Sequence, residues 1–344
     1  MNHRVITQLT FNIVREIGAE GANSKAYLAY DPQLDATLVV KAIPKKDFNI
    51  NAQLYFLESQ IIYNSKHPNI MEINYACEDK DHIYFSMPFY QKGSLNSLLD
   101  KRFLTTREII GYSLDFLSGL HFIHSKQLVH FDIKPTNLII NDSNHAILTD
   151  FGLSKYANQY GFASPDKIYG AHRPPESLVT TSLTSQYDIY QAGLTLYRMC
   201  NGNINFKEQN VNFSKENLKN AKFPDRGYFL PHIPNTLRNY IKKALEVDLN
   251  KRYQTVLELM NDLSNVEESL DWQYSIMNSE EMWVLDSDTT SKKITLRSHQ
   301  NEWSIEGYRT SKKTGKTSRI SQCFSQHKTK KIAYKEISSF INKI

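Results

Sequence analysis

The hydrophobic period of the chain changes near residue 90, and that change constrains the fold more than any other feature. Between residues 11 and 90, apolar and polar residues alternate in short runs: FNIVREIG, KAYLAYD, TLVVKAI, IMEINYA and HIYFSMPF. Side chains along a strand point to opposite faces in turn, so these runs predict half-buried β-strands. One stretch, AQLYFLESQIIYNSK, instead places Leu54, Leu57, Ile61 and Ile62 at helical spacing, and predicts a helix between the third and fourth strands. HPN at 67–69 then breaks the pattern. After Tyr90 the period is helical, in REIIGYSLDFLSGLHFIHS, SQYDIYQAGLTLYRMC, NTLRNYIKKALEV and QTVLELMNDLSNV. The reading is an α+β chain of two lobes, β-rich over 11–90 and helical over 91–268, after an N-terminal extension over 1–10.

Beyond the second lobe, ITLRS, EWSIEGYR and SRISQCF read as strands and KIAYKEISSFINKI as a terminal helix. Residues 269–344 are therefore expected to form a small β-rich domain with a C-terminal helix. Charge sets this region apart. The chain carries a net +5, yet residues 287–344 hold 13 Lys and Arg against 4 Asp and Glu, so the rest is mildly acidic. That asymmetry predicts two parts with different partners. Lys312, Lys313, Lys316 and Arg319 form a basic hairpin, and Lys328, Lys330 and Lys331 open the last helix. The segment is similar to small β-β-β-α modules that touch nucleic acid, such as integrase arm-binding domains. Nucleic acid or an acidic protein is the partner this implies; a solvated face is the plainer alternative.

No run approaches eighteen apolar residues, and the N-terminus lacks a basic segment followed by an apolar one. Neither a membrane span nor a secretory signal is expected. The expected location is cytoplasmic, with delivery into another cytosol as a secreted effector the alternative. Cys77, Cys200 and Cys323 are too few and too far apart for a disulfide framework or a zinc site.

The chemistry concentrates in VHFDIKPTNLII, residues 129–140. Phosphoryl transfer needs a carboxylate to orient the attacking hydroxyl, a cation near the transferred phosphate and oxygen ligands for Mg2+. Asp132, Lys134 and Asn137 supply these three kinds of group within six residues. Taken alone they could equally be a polar turn between a helix and a strand. Further groups follow the same logic: Asp150 in TDFG, Lys41 on the strand LVVKAI, Glu58 on the next helix, and the small-residue loop GAEGANSKAY between the first two strands.

In this order, with HFDIKPTN, DFG, PPE and YDIYQAG, the motifs resemble the protein kinase superfamily over residues 11–268, most closely its bacterial or phage members of eukaryotic type. The resemblance implies a two-lobed kinase fold and a protein kinase that moves the γ-phosphate of ATP, with Mg2+ (Mn2+ as the alternative), to Ser or Thr hydroxyls of a protein substrate. It implies Asp132 as the catalytic carboxylate, Lys134 as the phosphate contact and Asn137 and Asp150 as metal ligands. Lys41 with Glu58 would clamp the nucleotide, beside Ile17, Gly18, Ala19, Gly21, Ser24, Ala26, Val39 and Ile139. Met87 would be the gatekeeper, and Pro88, Phe89 and Tyr90 the hinge that meets adenine. Glu176 and Arg252 match the family's buried ion pair, and Asp188 its carboxylate beneath the catalytic loop. His130 is read as a structural residue packing on Phe151.

Four departures from the family pattern stand out. Phe131 replaces the arginine that pairs with an activation-segment phosphate, which implies activity without that phosphorylation. Ala19 and Ser24 replace two loop glycines. Val39 and Ala26 exchange bulk across the adenine pocket. Tyr169 stands before PPE where threonine is usual, leaving tyrosine or dual specificity as an alternative. A pseudokinase scaffold, or a regulator tethered to nucleic acid through the basic segment, is the rival from another class.

Overall fold

The computed structural model describes residues 9–17, 24–48, 56–168, 170–300 and 302–343. Strands β1 (Asn12–Ile17), β2 (Lys25–Asp31), β3 (Ala36–Pro44), β4 (Tyr75–Glu78) and β5 (His82–Pro88) form an antiparallel sheet in the order β1-β2-β3-β5-β4, with helix α1 (Leu57–Asn64) inserted after β3. Alternation does the sorting. Leu38, Val40 and Ala42 are buried on one face of β3, which leaves half-buried Val39 and Lys41 on the other.

One strand expected from the sequence differs in extent. Of IMEINYA, only the end from Tyr75 joins a strand. Ile70 and Met71 instead dock against the second lobe: the Met71 amide donates to the Leu148 carbonyl at 2.8 Å, and both side chains are buried. Their apolar run serves an interlobe contact rather than a strand of the first sheet.

The second lobe holds α2 (Leu95–Lys101), α3 (Thr106–Ser125), the short strands β6 (Leu128–Val129), β7 (Leu138–Ile140), β8 (Ala146–Leu148) and β9 (Lys155–Tyr156), then α4 (Gln186–Asn210), α5 (Lys215–Lys219), α6 (Asn235–Ala244) and α7 (Val256–Ser264). Helix α3 starts where it does because Thr105 and Glu108 form a reciprocal capping box. Its Ile109, Tyr112, Phe116, Leu120 and Ile123 recur at helical spacing and are all buried. Helix α4 is buried along most of its length, as befits the central element of the lobe. Its regular path breaks at Gly202, whose φ of 74° favours glycine, and a Cβ there would lie 2.6 Å from the Phe103 ring.

Strands β10 (Gln273–Met277), β11 (Glu280–Asp286), β12 (Thr290–His299), β13 (Glu302–Ser311) and β14 (Thr317–His327) form an antiparallel meander, followed by α8 (Lys330–Ile341). Two strands more than the three read from sequence are present. The overlooked hairpin turns at Asn278 and Ser279, both with positive φ (50° and 63°), as a tight two-residue connection of this hand requires.

The meander shares one apolar core with the helical lobe. Tyr274 packs edge-on against Phe103 with centroids 4.5 Å apart, Trp283 is fully buried, and Arg107 holds Asp271 through two bonds of 2.6 and 2.9 Å. Buried Glu281 accepts from the hydroxyls of Tyr274 and Tyr334 and pairs with Lys330 at 2.7 Å. The meander and α8 are thus packed against the second lobe. Part of its positive charge is neutralised at home: Arg297 bridges Glu280 and Glu306 at 2.7 and 2.8 Å, and Lys312 lies 3.7 Å from Asp286. This arrangement gives no support to a nucleic-acid partner. Among the described residues, no helix is long and apolar enough to cross a membrane.

Candidate active site

The cleft between the lobes gathers side chains from β3, α1, the loop after β6 and the turn after β8. Lys41 on β3 reaches across to two carboxylates, Glu58 Oε1 at 2.6 Å and Asp150 Oδ1 at 2.7 Å. Burial pulls the Lys41 ammonium down, but the flanking Asp150 and Glu58 charges outweigh it and hold the group above its ordinary value. Burial likewise pushes Asp150 up, and the Lys41 cation overcomes it, leaving the carboxyl at about 2. For Glu58 burial dominates and raises the group. Asp150 has a left-handed backbone with φ of 65°, and a Cβ on Gly152 would meet the Asp150 and Glu58 carboxylates at 3.4 and 3.5 Å. The DFG turn thus brings its backbone close to both acids.

Residues 130–137 hold the second set. Asp132 Oδ2 accepts from Asn137 Nδ2 and pairs with Lys134 Nζ, both at 2.8 Å. Asn137 also donates to the Asp132 carbonyl at 2.9 Å, so its amide nitrogen is committed, while its oxygen accepts from Thr136 Oγ1 at 3.4 Å and keeps a second lone pair for a ligand. His130 packs edge-on against Phe151 at 4.8 Å, and its Nδ1 accepts the Asp132 amide at 3.2 Å. Burial lowers its basicity against the pull of the nearby acids, as suits a neutral, structural ring.

The loop is held from beneath by α4. Asp188, fully buried, accepts the amides of His130 and Phe131 at 2.8 Å each. Gln191 accepts the Ile133 amide at 2.9 Å and donates to the Phe131 carbonyl at 3.2 Å. The sequence reading assigned Asp188 and passed over Gln191; the signal was its position three residues on, which puts both side chains on one helix face. Below, Arg252 clasps Glu176 through bonds of 2.7 and 2.9 Å and donates to the Gln186 and Glu246 carbonyls.

The residues expected beside adenine also lie close together. Ala26 pairs with Lys41 and with Ile17, while Val39 pairs with Leu28 and Met87. Ala26 and Val39 thus lie diagonally on adjacent strands of one face, where an exchange of bulk can conserve volume. Met87 is buried, Pro88 closes β5, Phe89 and Tyr90 are half-buried beyond it, and half-buried Ile139 lies on β7. Ser24 immediately precedes β2. Gly18, Ala19 and Gly21, as well as Tyr169, lie outside the described residues.

The donor set fits a nucleotide carrying a divalent cation. Mg2+ keeps several waters and takes one or two protein oxygens with substrate phosphates, and Asp150 and Asn137 offer such a pair. Lys41 and Lys134 place positive charge in the same cleft.

A five-stranded lobe over a helical lobe, with two lysines, three acids and an asparagine converging in the cleft, defines the two-lobed kinase architecture. Residues 11–263 match the family model described as protein kinase domain, and the chain belongs to that family. Similar proteins include Serine/threonine-protein kinase PknD of Protochlamydia amoebophila (strain UWE25), 27% identical over 311 residues, covering 78% of this chain and 31% of that protein. Probable serine/threonine-protein kinase PknB of Lactococcus lactis subsp. lactis (strain IL1403) is 27% identical over 291 residues, covering 83% and 45%. Serine/threonine-protein kinase PrkC of Bacillus subtilis (strain 168) is 27% identical over 286 residues, covering 79% and 43%. The chain spans less than half the length of these relatives.

Proposed function

We propose that the chain is an ATP-dependent protein kinase acting on Ser and Thr hydroxyls. The observation that carries this reading is the Lys41 bridge to Glu58 and Asp150 in the same cleft as Asp132, Lys134 and Asn137. A scaffold that had abandoned chemistry would be free to lose any of these groups. In the proposed reaction the substrate hydroxyl oxygen bonds to the γ-phosphorus as the β–γ bridging bond breaks, ADP departs with that electron pair, and the hydroxyl proton passes to Asp132. Mg2+ would supply charge neutralisation between the phosphates, held by Asp150 and Asn137.

Each protein group has a defined task in this proposal. Lys134 and Asn137 both hold Asp132 Oδ2, so Oδ1 is assigned to the incoming hydroxyl. Asp150, at about 2, stays ionised at any physiological pH and can serve as a ligand. Lys41 orients the α- and β-phosphates and is itself aimed by Glu58. Phe131 in place of an arginine supports turnover without phosphorylation of the activation segment. The similarity to serine/threonine-protein kinases and Lys134 after Asp132 favour Ser/Thr over Tyr.

Incubation of purified protein with labelled ATP and a generic protein substrate, followed by phosphoamino-acid analysis, tests the reading. Label on phosphoserine or phosphothreonine is expected. Label on phosphotyrosine alone would assign the other hydroxyl class, and no label would return the chain to a scaffold.

A further inference from the structure

Phe131 is 2% exposed despite a left-handed backbone with φ of 67°. A bulky side chain in that region is strained, so the surroundings must hold it there. They do so with a second apolar cluster, separate from the main core: Val129, Phe131, Ala163, Leu183 and Tyr187. Phe131 meets Tyr187 edge-on at 5.1 Å, and half-buried Ile168 packs on the same group. Two of these residues, Ala163 and Ile168, belong to the segment between DFG and PPE. The catalytic loop and that segment are joined here by packing.

Polar contacts fix the same segment along its length. The Ala163 amide donates to the Leu183 carbonyl at 2.8 Å, and the Ala163 carbonyl accepts from the Leu183 amide at 2.9 Å. Strand β9 pairs with β6, and the Ala157 amide donates to Gln127 at 2.7 Å. Asn158 Oδ1 accepts the amides of Tyr160 and Phe162 at 2.9 and 3.1 Å. Lys155 on β9 reaches Asp166 at 2.6 Å, a carboxylate already encoded in the segment. Two other basic residues near PPE are engaged elsewhere: Arg173 donates to Ser177, and His172, held neutral by burial, accepts from Arg198.

We infer that Phe131, Leu183 and Asp166 are positioning residues, holding the segment against the loop that carries Asp132 so that the site is set without a phosphate. The inference rests on the kinase reading above and goes further by naming the contacts that substitute for the modification. Phe131 and Leu183 supply the larger share because their contact is dry, whereas the Lys155–Asp166 pair is half in water and screened. None of the three touches substrate; each acts through the backbone that carries Asp132.

The test uses full-length protein treated with phosphatase, which is then removed. Transfer to a peptide is followed over a range of ATP concentrations up to saturation for wild type, Leu183→Ala, Leu183→Met, Asp166→Asn and the charge reversal of Lys155→Asp with Asp166→Lys. Leu183→Ala is expected to lower kcat about tenfold with KM for ATP within about twofold, because it loosens the loop and leaves the nucleotide contacts intact. Leu183→Met should recover most of that loss. Asp166→Asn should lose about threefold, recovered by the charge reversal. Hydrogen exchange at amides 157–168 should rise in step with each loss of rate.

Faster exchange in Leu183→Ala with kcat unchanged would overturn the inference, since the cluster would then be merely structural. A lag in phosphatase-treated wild type that ATP pre-incubation removes, and that Ser164→Ala makes permanent, would overturn it as well. Should Leu183→Ala not fold, Ile168→Ala at the rim of the cluster gives the same readout. Wild type that transfers no phosphate at all would instead sink the kinase reading, so the two failures are distinguishable.

Discussion

Gln191 lies one turn beyond Asp188 on α4, and together the two side chains bind the amides of His130, Phe131 and Ile133 and the carbonyl of Phe131. A loop that must present Asp132 and Asn137 is thereby tied to the most buried helix of the protein. Leaving one buried amide without its acceptor costs about 1–3 kcal/mol, and Asp188→Ala strands two. That variant should show a clearly lower urea midpoint together with a loss of transfer. Gln191→Leu should do the same to a smaller degree. An unchanged midpoint in Asp188→Ala would mean that water replaces the carboxylate.

Lys41 and Glu58 should behave as one unit. Lys41→Met is expected to lower kcat/KM for ATP on the order of hundredfold, and Glu58→Gln by less, because Glu58 acts through Lys41. The double variant should be no worse than Lys41→Met alone, as residues that share one interaction are not additive. Steady-state kinetics on the four proteins measure the coupling. Additive losses would separate the two roles.

Acid stability should carry the mark of Asp150. Its folded value of about 2 lies below the ordinary carboxyl value of 3.8, so the folded state binds this proton less readily than the unfolded chain. The resulting stabilisation is full above about pH 4 and is lost as the pH falls through 4 toward 2. Thermal melts of wild type and Asp150→Asn between pH 2 and 6 should therefore converge toward the acid end. Curves that stay parallel throughout would exclude a depressed carboxyl here.

Removal of residues 269–344 should damage the second lobe. The cut strips Tyr274 from Phe103 and exposes the part of the core that Trp272 and Trp283 cover. Deleting one buried aromatic side chain typically costs 3–5 kcal/mol, so even Tyr274→Ala should lower the melting temperature by roughly ten degrees. A truncated protein that melts like the full chain would show the meander to be an independent appendage.

Much of this was legible from the sequence, and the misses have physical reasons. The candidate site residues sit in local motifs whose spacing is fixed by short turns, so Asp132, Lys134, Asn137 and Asp150 could be proposed from the sequence alone. Helices α3, α4, α6 and α7 announce themselves through long apolar periodicity, which short strands lack. Met71 was mistaken for part of a strand because a buried loop and a buried strand are equally apolar. The docking of β10 and β11 was missed because a charge count takes no account of pairing: Arg297 and Lys330 look like free cations until Glu280, Glu306 and Glu281 are seen beside them. Phe131 is visible in the sequence as an apolar residue inside a polar loop, yet its partners Ala163, Leu183 and Tyr187 come from distant points of the chain, and only the fold reveals them.

The most direct test of the central claim is Asp132→Asn. The substitution keeps the shape of the side chain and removes the carboxylate that the proposal assigns to the substrate proton. Transfer of label from γ-labelled ATP to protein is measured under single-turnover conditions, with nucleotide affinity measured in parallel. The account predicts transfer by wild type, a loss on the order of hundredfold or more in the variant, and ATP binding within a few-fold of wild type. Transfer by Asp132→Asn at the wild-type rate would contradict it.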